Sequence, residues 1–156
     1  CGLTCQAGES FWEAILRLPR LRHRERQLRL QALKVLDDFG LTARAGLPAG
    51  VLPYGDKKRL ELARAVVSQP SLLLLDEPVA GLNRQETEEI SKIIQRLRQE
   101  GKTILLVEHD MEMVMSLADW VVVLDGGRRI ATGTPQEVCR NPLVLEAYLG
   151  RASITA

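Results

Sequence analysis

Four consecutive leucines, Leu72-Leu73-Leu74-Leu75, run directly into Asp76-Glu77-Pro78. A run this short is no helix, and apolar residues on both faces suit a buried strand of a parallel sheet. Such a strand needs helices or further strands on each side, so the run fixes the layer architecture around it. Two adjacent carboxylates at its carboxyl end stand where open α/β sheets bind ligands. Side chains alternate along a strand, so Asp76 and Glu77 leave it in different directions and can take different roles. One acid can hold a hydrated Mg²⁺ while the other orients a nucleophilic water. A pair of helix-capping acids is the plainer alternative.

The flanking sequence alternates helix with strand. Asp56 to Val67 reads as a helix, broken by Ser68-Gln69-Pro70 before the leucine run. A helix with Ile90, Ile93, Ile94 and Leu97 on one stripe follows, opened by Asn83 and Glu86 as a capping box and closed by Gly101. Thr103 to Val107 is a second strand, Asp110 to Ala118 a helix, and Val121 to Leu124 a third strand. Gly126-Gly127 turns into a short antiparallel strand, Arg128 to Ala131. Thr134-Pro135-Gln136-Glu137 is another capping box, and Asn141-Pro142 opens a last helix expected to end at Gly150. The pattern predicts an α/β fold with a parallel sheet.

Upstream, Ser10-Phe11-Trp12-Glu13 has capping-box form, and Pro19 is expected to end the short helix after it. A second helix carries Leu28, Ala32, Val35, Leu36 and Phe39 and stops at Gly40. The basic stretch Arg17 to Arg26 between them suggests either a nucleic-acid contact or a solvated face. It lacks interleaved aromatics, and the 156 residues carry a net charge of only +1, so the solvated face is the better reading. That balance, with 46% apolar residues, excludes a disordered polyelectrolyte. No apolar run approaches the ~18 residues that cross a bilayer. Cys1 and Cys5 could form a ligand pair, but neither histidine lies near them, and with Cys139 the three suit a reduced cytosolic protein better.

Two further places bear chemistry. In Leu52-Pro53-Tyr54-Gly55-Asp56, Gly55 permits close backbone approach, and the helix that follows presents N–H groups and a positive dipole end. That is anion-binding architecture, with a plain glycine-containing helix start as the alternative. His109 directly follows the second strand, toward the same sheet edge as the two acids.

The order and spacing of these motifs resemble the second half of an ATP-binding-cassette (ABC) ATPase. The signature turn corresponds to Leu52 to Asp56, the acidic strand end to Asp76-Glu77-Pro78, the D-loop to Ala80-Gly81-Leu82-Asn83, and the switch histidine to His109. Within the family, Leu52-Pro53-Tyr54-Gly55 and the stretch from Leu72 to Asn83 look like the ATP-binding subunits of branched-chain amino-acid importers. The tail from Ile130 to Gly150 is similar to theirs as well.

The resemblance implies a partial P-loop NTPase core with a parallel sheet and part of the helical subdomain. Residues 1–53 would belong to that subdomain, 54–132 to the C-terminal half of the nucleotide-binding core, and 133–156 to C-terminal helices. The implied cofactors are ATP and Mg²⁺. Asp76 would bind Mg²⁺ through water, Glu77 would be the general base and His109 would contact the γ-phosphate. Leu52, Pro53, Tyr54, Gly55, Asp56 and Asn83 would contact the nucleotide held by a second ATP-binding subunit, in a homodimer or heterodimer. Pro53 stands where the family has a serine and Asp56 where it has a glutamine, which implies a weaker clamp with an acid near a polyanion. The implied partners are membrane permease subunits and, indirectly, a periplasmic or extracellular solute-binding protein, with no nucleic acid. The implied place is the cytoplasmic face of the membrane.

No Gly-x-x-x-x-Gly-Lys-Ser/Thr occurs in the sequence. The resemblance therefore implies a C-terminal fragment whose phosphate-binding loop lies upstream, expected to be inactive alone. A soluble ABC ATPase acting on nucleic acid or ribosomes, and a non-catalytic remnant, remain the alternatives.

Overall fold

The computed structural model describes residues 18–152, with side chains from 23 to 148. The expected capping box at Ser10, together with Cys1 and Cys5, lies outside the described residues. The chain divides between Val107 and Glu108 into two compact units. That division falls inside the expected 54–132 core.

The first unit contains helix α1 (Leu18–Asp38), two single 3₁₀ turns (Thr42–Arg44 and Ala49–Val51), helix α2 (Tyr54–Val66), strand β1 (Leu72–Asp76), helix α3 (Arg84–Gln99) and strand β2 (Thr103–Val107). The short helix that Pro19 is expected to end lies outside the described residues. Pro19 itself occupies the first turn of α1, where a missing N–H costs nothing, and the arginines that follow continue the helix. The basic residues from 23 to 29 lie along that helix, mostly exposed. Gly40 then takes φ +67°, a left-handed stop that suits glycine.

Strands β1 and β2 pair in parallel, Leu72 opposite Thr103 through Asp76 opposite Val107. Helix α3 makes the crossover between them, opened by the expected Asn83–Glu86 capping box. One face of the pair is covered: Leu73 and Leu75 are buried, as are Leu62, Ala63, Ile90, Ile94 and Leu97 on the helices. The other face is not. Leu72, Leu74, Leu105 and Val107 alternate onto it and are all exposed. The leucine run thus has the two-faced apolarity of a buried strand, but only one of its faces is covered among the described residues.

The second unit contains helix α4 (Met111–Leu117), strand β3 (Val121–Asp125), strand β4 (Arg128–Gly133), and helices α5 (Pro135–Cys139) and α6 (Pro142–Ala152). Gly126 and Gly127, both at positive φ, close an antiparallel β3–β4 hairpin. Val121, Ala131, Val138 and Val144 form the core, with Met111, Val114, Met115 and Ile130 packed against it. Helix α6 continues through Gly150, past the expected stop.

Candidate functional site

The first unit brings three of the singled-out segments together. Asp76 ends β1, and its carboxylate is exposed, with no hydrogen bond or ion pair among the described residues. At Glu77 the chain leaves the sheet sharply. Its N–H donates to the Val107 carbonyl at 2.9 Å, a last rung of the parallel ladder, and its backbone adopts φ +44°. A non-glycine residue in that region stores strain, and such residues cluster at functional sites. The turn closes when the Ala80 N–H donates to the Glu77 carbonyl at 3.2 Å.

The signature-like segment lies against this turn. Pro53 occupies the N-cap of α2 and supplies no side-chain acceptor, so no side chain caps the first N–H groups of that helix. Leu52 and Gly55 are buried, and Tyr54 is exposed. The Tyr54 hydroxyl donates to the Ala80 carbonyl at 3.0 Å, and the Lys58 ammonium donates to the Glu77 carbonyl at 3.4 Å. Lys58 also stands 5.9 Å from the centre of the Tyr54 ring.

Gly55 has a neighbour that the sequence does not reveal. A Cβ there would collide with the Glu86 carboxylate, coming within 2.8 Å of its Cδ. That carboxylate is already occupied, since Glu86 Oε2 accepts the Asn83 N–H at 3.0 Å and the Glu86 N–H donates to Asn83 Oδ1 at 3.0 Å. Asn83 thus uses its side chain to cap α3.

Asp56 differs most from expectation. Its side chain is only 3% exposed and pairs with Arg44 and Arg59, and Arg59 reaches on to Glu89 at 3.3 Å. The expected acid beside a polyanion is instead turned inward and neutralised. An acid in the first helical turn also complements the helix dipole. Lys58 four residues after Tyr54 was a legible helical-face signal. Arg44 lies too far along the chain from Asp56 for any spacing rule to pair them.

In the second unit, His109 is exposed and its N–H donates to Glu108 Oε2 at 3.2 Å. The Glu108 side chain is 1% exposed, with its Oε2 3.8 Å from His109 Nδ1. Asp110 then caps α4 by accepting the Met113 N–H at 3.1 Å.

Comparison with known proteins decides the family. A sequence model described as "ABC transporter" matches residues 8–80, and one described as "Branched-chain amino acid ATP-binding cassette transporter" matches residues 128–153. The chain is 43% identical over 144 residues to the high-affinity branched-chain amino acid transport ATP-binding protein BraF of Pseudomonas aeruginosa. The chain belongs to the ABC transporter ATP-binding family.

The BraF match covers 92% of this ABC chain and 56% of the relative. The Escherichia coli protein LivG, with the same descriptive name, is 42% identical over 148 residues, covering 94% of the chain and 58% of the relative. The chain therefore spans a little over half the length of the curated relatives it matches. Among solved structures, the ADP conformation of MJ1267, an ATP-binding cassette of an ABC transporter, superposes with a TM-score of 0.72 at 30% identity, over 80% of this chain and 50% of that one. A nucleotide-free ATP-binding cassette from an ABC transporter gives 0.73 at 28% identity, over 90% and 57%. The α/β ABC ATPase fold implied by the order and spacing of the motifs is the one found.

Proposed function

We propose that the polypeptide carrying these residues is the ATP-hydrolysing, energy-coupling subunit of an importer for branched-chain amino acids. The observation that supports the site is the packing of the Leu52–Asp56 turn directly on the Glu77–Asn83 turn, at the carboxyl end of a parallel strand. The solute class is supported by what BraF and LivG are named for. No described helix is long and apolar enough to cross a membrane. The subunit would work from the cytoplasmic face, docked on permease subunits and paired with a second ATP-binding subunit.

The residues present fit Mg²⁺ and ATP. Mg²⁺ keeps several waters and takes one or two carboxylates plus phosphate oxygens rather than an all-protein cage. Exposed Asp76 is one such carboxylate, and no cluster of three ligating side chains occurs among the described residues. When bound, MgATP supplies the phosphoryl group whose transfer to water releases the energy. Asp76 would hold the cation through one of its waters. Glu77 would orient the attacking water and accept its proton. The uncapped N–H groups after Pro53 and the positive end of α2 would face the nucleotide held by the other subunit. The inward-turned Asp56 leaves that surface without a competing negative charge.

Glu77→Gln tests the reading. Amide keeps the shape and removes the base, so hydrolysis should fall by at least ~100-fold while ATP binding persists. Leucine, isoleucine and valine uptake by cells carrying the variant should stop with it. Near-normal hydrolysis would refute the assignment.

A further inference from the structure

Glu77 must do its chemistry from a backbone conformation that an L-residue disfavours, φ +44°. Something must hold it there, because relaxation toward negative φ would rotate the Cα–Cβ bond and swing the carboxylate away from its direction at the end of the sheet. On one side stands the Val107 carbonyl, which takes the Glu77 N–H at 2.9 Å. The other side is provided by the first turn of α2. Tyr54 and Lys58 are four residues apart, on one face of that helix. The Lys58 ammonium reaches the Glu77 carbonyl at 3.4 Å, and the Tyr54 hydroxyl reaches the Ala80 carbonyl at 3.0 Å, at the two ends of the tight turn. The Tyr54 ring also lies over Gly81, whose φ of +75° continues the turn, and a Cβ on Gly81 would come 3.3 Å from Tyr54 Cε1.

We propose that Tyr54 and Lys58 are positioning residues for Glu77, clamping the 77–82 turn of their own chain so that the base keeps one orientation. This rests on Glu77 being the base, as proposed above. It gives the side chains of the signature-like turn work inside their own subunit, distinct from the backbone contact to a nucleotide held by the partner. Any shift of the start of α2 is then transmitted to Glu77 through two hydrogen bonds and a ring contact. The charge of Lys58 matters less than its donor, since what it meets is a carbonyl.

The test uses Tyr54→Phe, which removes one hydroxyl, and Lys58→Met, which keeps length and loses the donor, with Lys58→Arg as the conservative rescue. Amide hydrogen exchange in the nucleotide-free protein should quicken about tenfold at Ala80 and Leu82 in the first two variants, and stay near wild type at Ile90 and Ile94. In the intact subunit, kcat for ATP hydrolysis should fall about tenfold with KM unchanged, because misorientation acts on the reacting geometry and not on binding. Lys58→Arg should restore both readouts. Wild-type exchange and kcat in both Tyr54→Phe and Lys58→Met would overturn the clamp. If Glu77→Gln meanwhile abolishes hydrolysis, the base assignment stands without it. Full hydrolysis by Glu77→Gln would overturn the base and the clamp together.

Discussion

Gly55 offers a test in which stability and function are easily confused. Substituting alanine at a glycine within the first turn of a helix ordinarily stabilises it by about 0.5–1 kcal/mol. Here the new methyl meets the Glu86 carboxylate, 2.8 Å from Cδ, so Glu86 must swing out and release the Asn83 N–H. Losing half of a capping box costs about 1 kcal/mol. Residual crowding in this buried spot adds about another 1 kcal/mol. Gly55→Ala should therefore destabilise by about 1 kcal/mol net. With Glu86→Ala already present there is nothing to collide with, and the same substitution should stabilise by about 0.5 kcal/mol. The sign reversal is a coupling of about 1.5 kcal/mol between two residues far apart in sequence. Glu86→Gln, which keeps the bulk, should preserve the penalty. Urea denaturation followed by circular dichroism on the four-variant cycle measures it. An equal loss from Gly55→Ala with and without the Glu86→Ala substitution would refute the packing argument and leave approach to a phosphate as the sole reason for glycine. If the reversal is seen, reduced hydrolysis in a Gly55 variant has to be separated from this packing loss before it is assigned to the nucleotide.

The two faces of β1 should respond oppositely in the 156-residue polypeptide. Leu73→Ala, at a side chain 2% exposed, should cost about 2–5 kcal/mol, while Leu74→Thr, 67% exposed, should cost under about 0.5 kcal/mol in denaturant melts. Asp56→Ala should destabilise by about 1–3 kcal/mol by removing the partner that Arg44 and Arg59 share, less than a fully buried pair because both arginines retain solvent and Arg59 keeps Glu89; unchanged melting would refute the ion pairs. Hydrogen bonds from the Thr134 backbone N–H, then from its hydroxyl, hold the Glu137 carboxyl below its ordinary pKa of 4.5. A depressed carboxylate pKa contributes stability that is present above pH 4.5 and lost as the pH falls through the lower folded value. An NMR titration of Thr134→Val should show the Glu137 pKa moving up toward its ordinary value, and no movement would count against the capping box.

The local code was largely legible in the sequence. Asn83 with Glu86, Thr134 with Pro135 and Glu137, and the paired glycines at 126–127 each specify an element through bonds within a few residues, and the leucine run marks its strand by composition alone. The structure places those elements where such bonds put them. The order of the strand-end acids, the signature-like turn and His109 carried the family likewise, because the spacing of motifs along the chain survives without tertiary information. Tertiary structure alone decided the partnerships between distant segments. It turned Asp56 inward onto Arg44, set Glu86 against Gly55, brought Tyr54 and Lys58 onto the Glu77 turn, and covered Leu73 while leaving Leu74 exposed. Propensity and periodicity constrain neighbours along one helix or strand. Which side chain meets which across a crossover depends on how α2 and α3 pack on the sheet, and that is set by the whole core at once.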